Sequence, residues 1–194
     1  GVMAKLLMKR GNRIGALILN PAETDGFRHI PARMGRRHLL HVLHVLETSP
    51  QTQEAHQTSL NEWMNRANGL LKRRASVFVV SDFMGDFNWA SELSALGRRH
   101  DTVAARLFDP AEMNLPNAGL MLLQDSETSE QLLLDTTHSK FRNKYAELVQ
   151  VREQQLATCF AQAGVDALEL STEDDLASAL LQFSELRKRR VWRA

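Results

Sequence analysis

The run Val77-Phe78-Val79-Val80, closed by Ser81-Asp82, limits the fold of this chain more than any other stretch. It is continuously apolar and mostly β-branched, with a polar stop. That pattern describes a strand covered on both faces, and such strands lie inside parallel sheets. Ligands of open parallel sheets bind in the crevice beyond the carboxyl ends of the strands. Asp82 stands just past that end, so one stretch predicts both a fold class and a candidate site.

The flanking sequence supplies matching elements. Met3 to Arg10 reads as the tail of a helix closed by Gly11, and Arg13 to Leu19 as a buried strand. Asp25-Gly26 marks a turn, and Phe27 to Ile30 reads as a short antiparallel edge strand ending at Pro31. Arg36 to Thr48 and Ser59 to Arg73 carry apolar residues at helical spacing. Asp86 is placed to cap a helix running to Arg99, and Thr102 to Phe108 is the next strand, ending at Asp109-Pro110. Gly119 to Leu123 and Gln131 to Leu134 form a hairpin across a polar connection. His138 to Ala163 is the longest helix, stopped by Gly164; Val165 to Leu170 is the last strand, and Ser171 or Thr172 caps a final helix from Glu173 to about Arg187. Strands alternating with helices predict an α/β fold in three layers, a mostly parallel sheet with helices on both faces, plus a small antiparallel hairpin.

At 194 residues the chain has the length of one domain, read as 1–188 with a basic tail at 189–194. A net charge of +1 argues against a dedicated nucleic-acid binder. The single cysteine, Cys159, excludes an internal disulfide framework and fits a reducing, cytoplasmic setting; its helical surroundings predict a buried structural thiol. No apolar run approaches the length of a membrane span, and no signal peptide is visible. Because the chain opens with Gly1 inside a helical pattern, the parent polypeptide is expected to start earlier.

Three strand ends should share one edge of the sheet: Ser81-Asp82, Asp109 and Ser171-Thr172. Together they would make an oxygen-rich rim, the ligand type that hard divalent cations prefer. Asp109, Ser171 and Thr172 read more simply as turn and cap residues. Asp82 has no evident capping duty, since Asp86 lies nearer the next helix. His38, His41 and His44 recur every third residue on one helix; no HExxH accompanies them, and a solvated polar face is the expected reading. Arg33, Arg36, Arg37 and His38 form a small basic patch of the same kind. There is no GxGxxG, no P-loop and no GxSxG.

The ordered set of segments resembles the carboxyl-terminal part of a von Willebrand factor A-like domain. More narrowly, it is similar to the bacterial family called domain of unknown function fifty-eight, associated with MoxR-type AAA+ ATPases. The segments carrying the likeness are Gly11 to Leu17, Val79 to Phe83, Arg98 to Ala104, Phe108 to Glu112 with Leu115-Pro116, the hairpin to Asp135-Thr136, and Ala163 to Thr172. The resemblance implies a metal-ion-dependent adhesion site holding Mg²⁺ or Mn²⁺. Thr58 carries over to it as the threonine ligand and Asp82 as the aspartate, whereas its first loop, Asp-x-Ser-x-Ser, has no match in these residues. It also implies a first strand in mid-sheet, between Arg13–Leu19 and Val77–Val80, which this sequence lacks. Unpaired neighbours would cost roughly 1–3 kcal/mol per buried backbone group, unless upstream sequence, direct pairing of the neighbours or another chain fills the slot.

Two functions follow as expectations. The first is a non-enzymatic protein-binding module acting with a MoxR-type AAA+ ATPase in assembly or regulation, gripping its partner at Ser81, Asp82 and Asp109. The resemblance places it in the cytoplasm, at the inner membrane face if upstream segments anchor it. The second is a metal-dependent hydrolase using the same carboxylates. Two-metal hydrolysis wants several convergent carboxylates or histidines, and Asp82 with Asp109 is a sparse set.

Overall fold

The computed structural model describes residues 11–19, 26–49, 59–124 and 131–191. The chain forms two compact units, Gly1–Ser59 and Leu60–Ala194. In the first unit, β1 (Ile14–Leu19) pairs antiparallel with β2 (Phe27–Arg33), and α1 spans Arg36–Thr48. Ile30, Val42 and Val45 are its buried core, with Ala16 and Ile18 against them. The bounds of α1 are those its apolar periodicity predicts. Strand β1 is half-covered rather than buried, with Leu19 44% exposed.

Strand β2 does not stop at Pro31. The register slips between Ile14 and Ala16, which face Arg33 and Ile30, so Gly15 meets a bulge that contains Pro31. A Cβ on Gly15 would lie 2.7 Å from the Ile30 carbonyl oxygen and 2.9 Å from the Ala32 nitrogen. The bulge takes up a residue with no N–H to donate, and glycine allows the close backbone approach.

The second unit is built on a parallel sheet in the order β3–β4–β7: Ser76–Ser81, Asp101–Phe108 and Asp166–Ser171. Helices α2 (Leu60–Leu70), α3 (Ala90–Arg99) and α5 (Ser139–Ala163) contribute Met64, Leu93, Leu96, Leu156 and Phe160 to a core with Val79 and Ala104. On the opposite face Val103, Ala105, Leu168 and Leu170 are buried against Ala179, Leu180 and Phe183 of α6 (Leu176–Val191). Odd and even residues of β4 thus serve different layers, as strand alternation requires. Burying each large side chain contributes roughly 1.5–3 kcal/mol.

Short elements complete the unit. A 3₁₀ turn at Phe87–Trp89 leads into α3, and α4 covers Pro110–Met113. The hairpin pairs β5 (Leu120–Gln124) with β6 (Gln131–Asp135). Its base is fixed by Thr136, fully buried, whose hydroxyl donates to the Gly119 carbonyl (2.8 Å) and accepts from the Ala118 N–H (3.1 Å). Arg142 of α5 donates to the Thr136 and Thr137 carbonyls at 2.6 and 2.9 Å. Gly164, at φ 67, closes α5 in the left-handed conformation a C-terminal glycine favours. Helix α6 extends to Val191, into the segment read as a tail.

The α/β class, the parallel sheet and the hairpin match expectation; a single large sheet does not. Among the described residues the strands fall into three hydrogen-bonded sheets, β1–β2, β3–β4–β7 and β5–β6. Among the described strands β3 is consequently an outer one and β4 the interior one, with Thr102 to Arg106 all buried. Val79 is 2% exposed but Val80 is 50% exposed, so β3 is covered fully on one face only. The strand that the resemblance sets between β1 and β3 has no counterpart among the described residues.

Candidate functional site

The carboxyl ends of β3, β4 and β7 lie side by side because the three strands are parallel and paired in register. Ser81 faces Arg106, and Phe108 faces Ser171, so Asp82 begins just past the last pair of β3 and Asp109 just past that of β4. Asp82 is exposed. Its Oδ1 accepts from the Met84 N–H at 3.0 Å and lies 3.4 Å from the Ser81 hydroxyl. The Ser81 hydroxyl oxygen in turn accepts from the Phe83 N–H at 3.0 Å. Asp82 therefore has a local duty that the sequence did not announce, an Asx turn that shapes its own loop. Both contacts fall on Oδ1 and leave Oδ2 available.

That loop is unusually well fixed for an exposed segment. Phe83 has φ 56, the left-handed region that a bulky residue seldom adopts, and its side chain is fully buried. Its ring meets Trp89 and Phe160 edge-on, at centroid distances of 5.1 and 5.0 Å. Arg152 of α5 donates to the carbonyls of Phe83 (2.8 Å) and Gly85 (3.2 Å), and its guanidinium lies 5.3 Å from the Phe87 ring centroid. Aromatic packing and the arginine together hold a conformation that would otherwise cost on the order of 1–3 kcal/mol. Met84, whose N–H bonds the carboxylate, is 53% exposed.

Deeper in the sheet, Arg106 of β4 is 5% exposed and donates through both terminal nitrogens to Glu153 of α5, at 2.7 Å for Nη2 to Oε1. Glu169 of β7 lies 3.7 Å away, and Phe108 packs against the guanidinium at 5.1 Å. This group ties the helix that carries Arg152 to the middle strand. Sequence reading missed Arg152, Phe83, Arg106 and Glu153. An arginine inside β4 was the one visible hint of a buried ion pair, and Gly85 the one hint of left-handed backbone nearby.

The other rim residues do what cap and turn residues do. Asp109 accepts from the Ala111 N–H at 2.9 Å and starts α4. The Ser171 hydroxyl accepts from the Glu173 N–H at 3.1 Å, while its own N–H donates to Asp174 at 2.9 Å. These two bonds sit one turn ahead of α6, where Asp175 accepts from the Ala177 N–H. The Thr172 N–H donates to the Phe108 carbonyl. Asp86 precedes the 3₁₀ turn but makes no side-chain cap.

Among the described residues no three His, Cys, Asp or Glu side chains are grouped to hold an ion. The Asp109 carboxylate and the Ser171 hydroxyl accept backbone bonds, and Thr58 lies outside the described residues. The His38 Nε2–H donates to the Ile14 carbonyl at 2.8 Å, a helix-to-strand bond. Cys159 is half-buried, beside Phe87 and Thr158 in a shallow hollow. No helix among the described residues is long and apolar enough to cross a membrane.

Comparison with known proteins agrees with the narrower of the two likenesses carried by the ordered segments. The chain is 30% identical over 181 residues to Uncharacterized protein Rv1480 of Mycobacterium tuberculosis and to Uncharacterized protein Mb1516 of Mycobacterium bovis, covering 92% of this chain and 55% of each relative. It is 27% identical over 162 residues to Uncharacterized protein MAV169 of Mycobacterium avium, covering 82% of this chain and 94% of that protein. The chain thus spans about half the length of the first two relatives. No solved structure matches it. The family model described as protein of unknown function DUF58 matches residues 1–155, and the chain belongs to that family.

Proposed function

We propose that this chain is a non-enzymatic protein-binding module whose contact point is the Asp82 loop, and that its partner is a MoxR-type AAA+ ATPase in the cytoplasm. One observation carries the reading. An exposed carboxylate with a free oxygen stands on a loop held rigid by Phe83, Arg152 and the Ser81 hydroxyl. Such preorganisation lowers the ordering cost of binding. Catalysis would ask for convergent acids, bases or nucleophiles beside it, and the other rim oxygens are engaged in turns. The partner group that suits Asp82 is a cation, with Met84 offering apolar contact alongside.

A pull-down with a MoxR-type ATPase tests the reading. Asp82→Asn keeps an oxygen for the Met84 N–H and removes the charge, so it should abolish capture while leaving the loop intact. Capture undiminished by Asp82→Asn would refute the role of the carboxylate. Titration with Mg²⁺ or Mn²⁺ followed by calorimetry tests the metal: heat from the parent and none from Asp82→Ala would give the ion a place in the interface.

A further inference from the structure

We propose that one face of the β5–β6 hairpin, built from Leu120, Leu122 and Leu133, is a docking surface for a basic amphipathic helix of another protein. The inference does not rest on Asp82 gripping an ATPase, and its test uses a peptide in place of one.

The face follows from register. Side chains alternate along a strand, so Leu120 and Leu122 point the same way. Leu122 is paired with Leu133 and Leu120 with Asp135, which brings all four to one face. The three leucines are 71, 59 and 62% exposed. The opposite face is half-covered at Met121 and Leu134, which pair with each other. The root of the hairpin is fixed by the buried Thr136 and by Arg142. A two-stranded hairpin is marginal in water by itself and gains stability from a third strand or from a helix packed on it. The strand that the resemblance sets between β1 and β3 does not bear on these leucines, since β5 and β6 form a sheet of their own among the described residues.

Charge and shape decide the occupant. From Leu107 to Thr137 the sequence holds Asp109, Glu112, Asp125, Glu127, Glu130 and Asp135 and no Lys, Arg or His, in a chain whose net charge is +1. Arg142, at the root, is engaged by the Thr136 and Thr137 carbonyls. An anionic lipid surface, or the same face of a second copy, would meet this acid with like charge. A cationic partner meets it with opposite charge. A strand added at the hairpin's edge would leave the three leucines in water, whereas a helix laid across the face covers them. Leu120 and Leu122 are about 7 Å apart along β5, and Leu122 and Leu133 about 5 Å apart across the pair. Apolar side chains three and four apart on a helix repeat at about 5–6 Å. About two helical turns therefore cover the patch, with Lys or Arg flanking them to meet the carboxylates.

The probe is a fluorescent peptide repeating Leu-Lys-Lys-Leu-Leu-Lys-Leu twice, read by anisotropy against the 194-residue chain. Binding should be saturable at micromolar concentration, weaken with added salt, and fall about tenfold when every lysine of the peptide is glutamate. Leu122→Gln and Leu133→Gln, both at exposed positions, should each weaken it about fivefold. Leu40→Gln, which alters an exposed leucine of α1, should leave it unchanged. Far-ultraviolet circular dichroism of the variants would show that the fold is kept. The proposal is overturned by no binding, by equal binding of the glutamate peptide, or by a loss from Leu40→Gln as large as that from Leu133→Gln. Capture by phosphatidylglycerol vesicles, or a dimer that Leu133→Gln disperses in sedimentation velocity, would overturn it in favour of a lipid surface or a second copy.

Discussion

Replacing Glu153 should destabilise the second unit more than replacing its partner Arg106, although both substitutions delete the same ion pair. The asymmetry comes from burial. Arg106 is 5% exposed and Glu153 29%, so loss of the glutamate strands a guanidinium inside the sheet, whereas loss of the arginine leaves a carboxylate that can turn to water. Removing one member of a fully buried pair costs roughly 3–5 kcal/mol. Here Glu169 at 3.7 Å keeps part of the field on Arg106, and the partial exposure of Glu153 screens the rest. We therefore expect about 2 kcal/mol for Glu153→Leu and about 1 kcal/mol or less for Arg106→Met, where methionine refills the volume. The double variant should lie within about 1 kcal/mol of the parent, because an apolar pair of similar size needs no compensating charge. At this chain length about 2 kcal/mol is a fall in Tm of roughly 4–8 °C. Urea unfolding followed through tryptophan fluorescence reports the right region, since Trp63 and Trp89 both lie in the second unit. The reasoning fails if Arg106→Met costs more than Glu153→Leu, or if the two losses simply add.

Thr136→Val should cost about 1 kcal/mol by removing the hydroxyl's bonds to the Ala118 N–H and the Gly119 carbonyl, and Thr136→Ser should recover most of it; equal urea midpoints for the two variants would refute this. Arg152→Met should speed hydrogen exchange at the Met84 amide about tenfold while exchange in β4 stays slow, because two loop carbonyls lose their donor; an unchanged Met84 rate would remove the clamp. Gly15→Val should disrupt β1–β2 pairing, as its Cβ would sit 2.7 Å from a backbone oxygen, and loss of the Ala16–Ile30 cross-strand nuclear Overhauser contacts would show it. His100 is 4% exposed with neither ring nitrogen hydrogen-bonded among the described residues, and burial followed by the charge of Arg99 lowers its pKa below 6.5. The unfolded chain then takes up a proton before the folded one, so stability is whole above about 6.5 and falls as pH drops from there towards the lowered folded value. His100→Phe should flatten that decline in urea midpoints, and equal slopes would contradict it.

Local pattern made much of this fold readable. The periodicity of Arg36 to Thr48, the glycine after Ala163 and the paired apolar runs around the acidic connection each stand where their chemistry says. Position in the sheet was less readable. An apolar run reports that a strand is built for an interior, not where its two neighbours are, and among the described residues β3 has one. Pro31 misled because a bulge can house a residue that lacks an N–H, and nothing local distinguishes that from a strand end. At the rim, Asp109 and Ser171 act as their turn chemistry indicates. The stiffness of the Asp82 loop comes from Arg152, some seventy positions on, and long-range donors leave no periodic trace.

Helix α5 gives the hairpin mechanical purchase on that loop. From Ser139 to Ala163 it contains neither glycine nor proline, so it has no joint at which to fold. Arg142 grips the hairpin base and Arg152 grips the Asp82 loop, about 15 Å apart along the same rod. Whatever tugs on the exposed leucines of β5 and β6 swings a lever whose other arm is already bolted to the acidic tip.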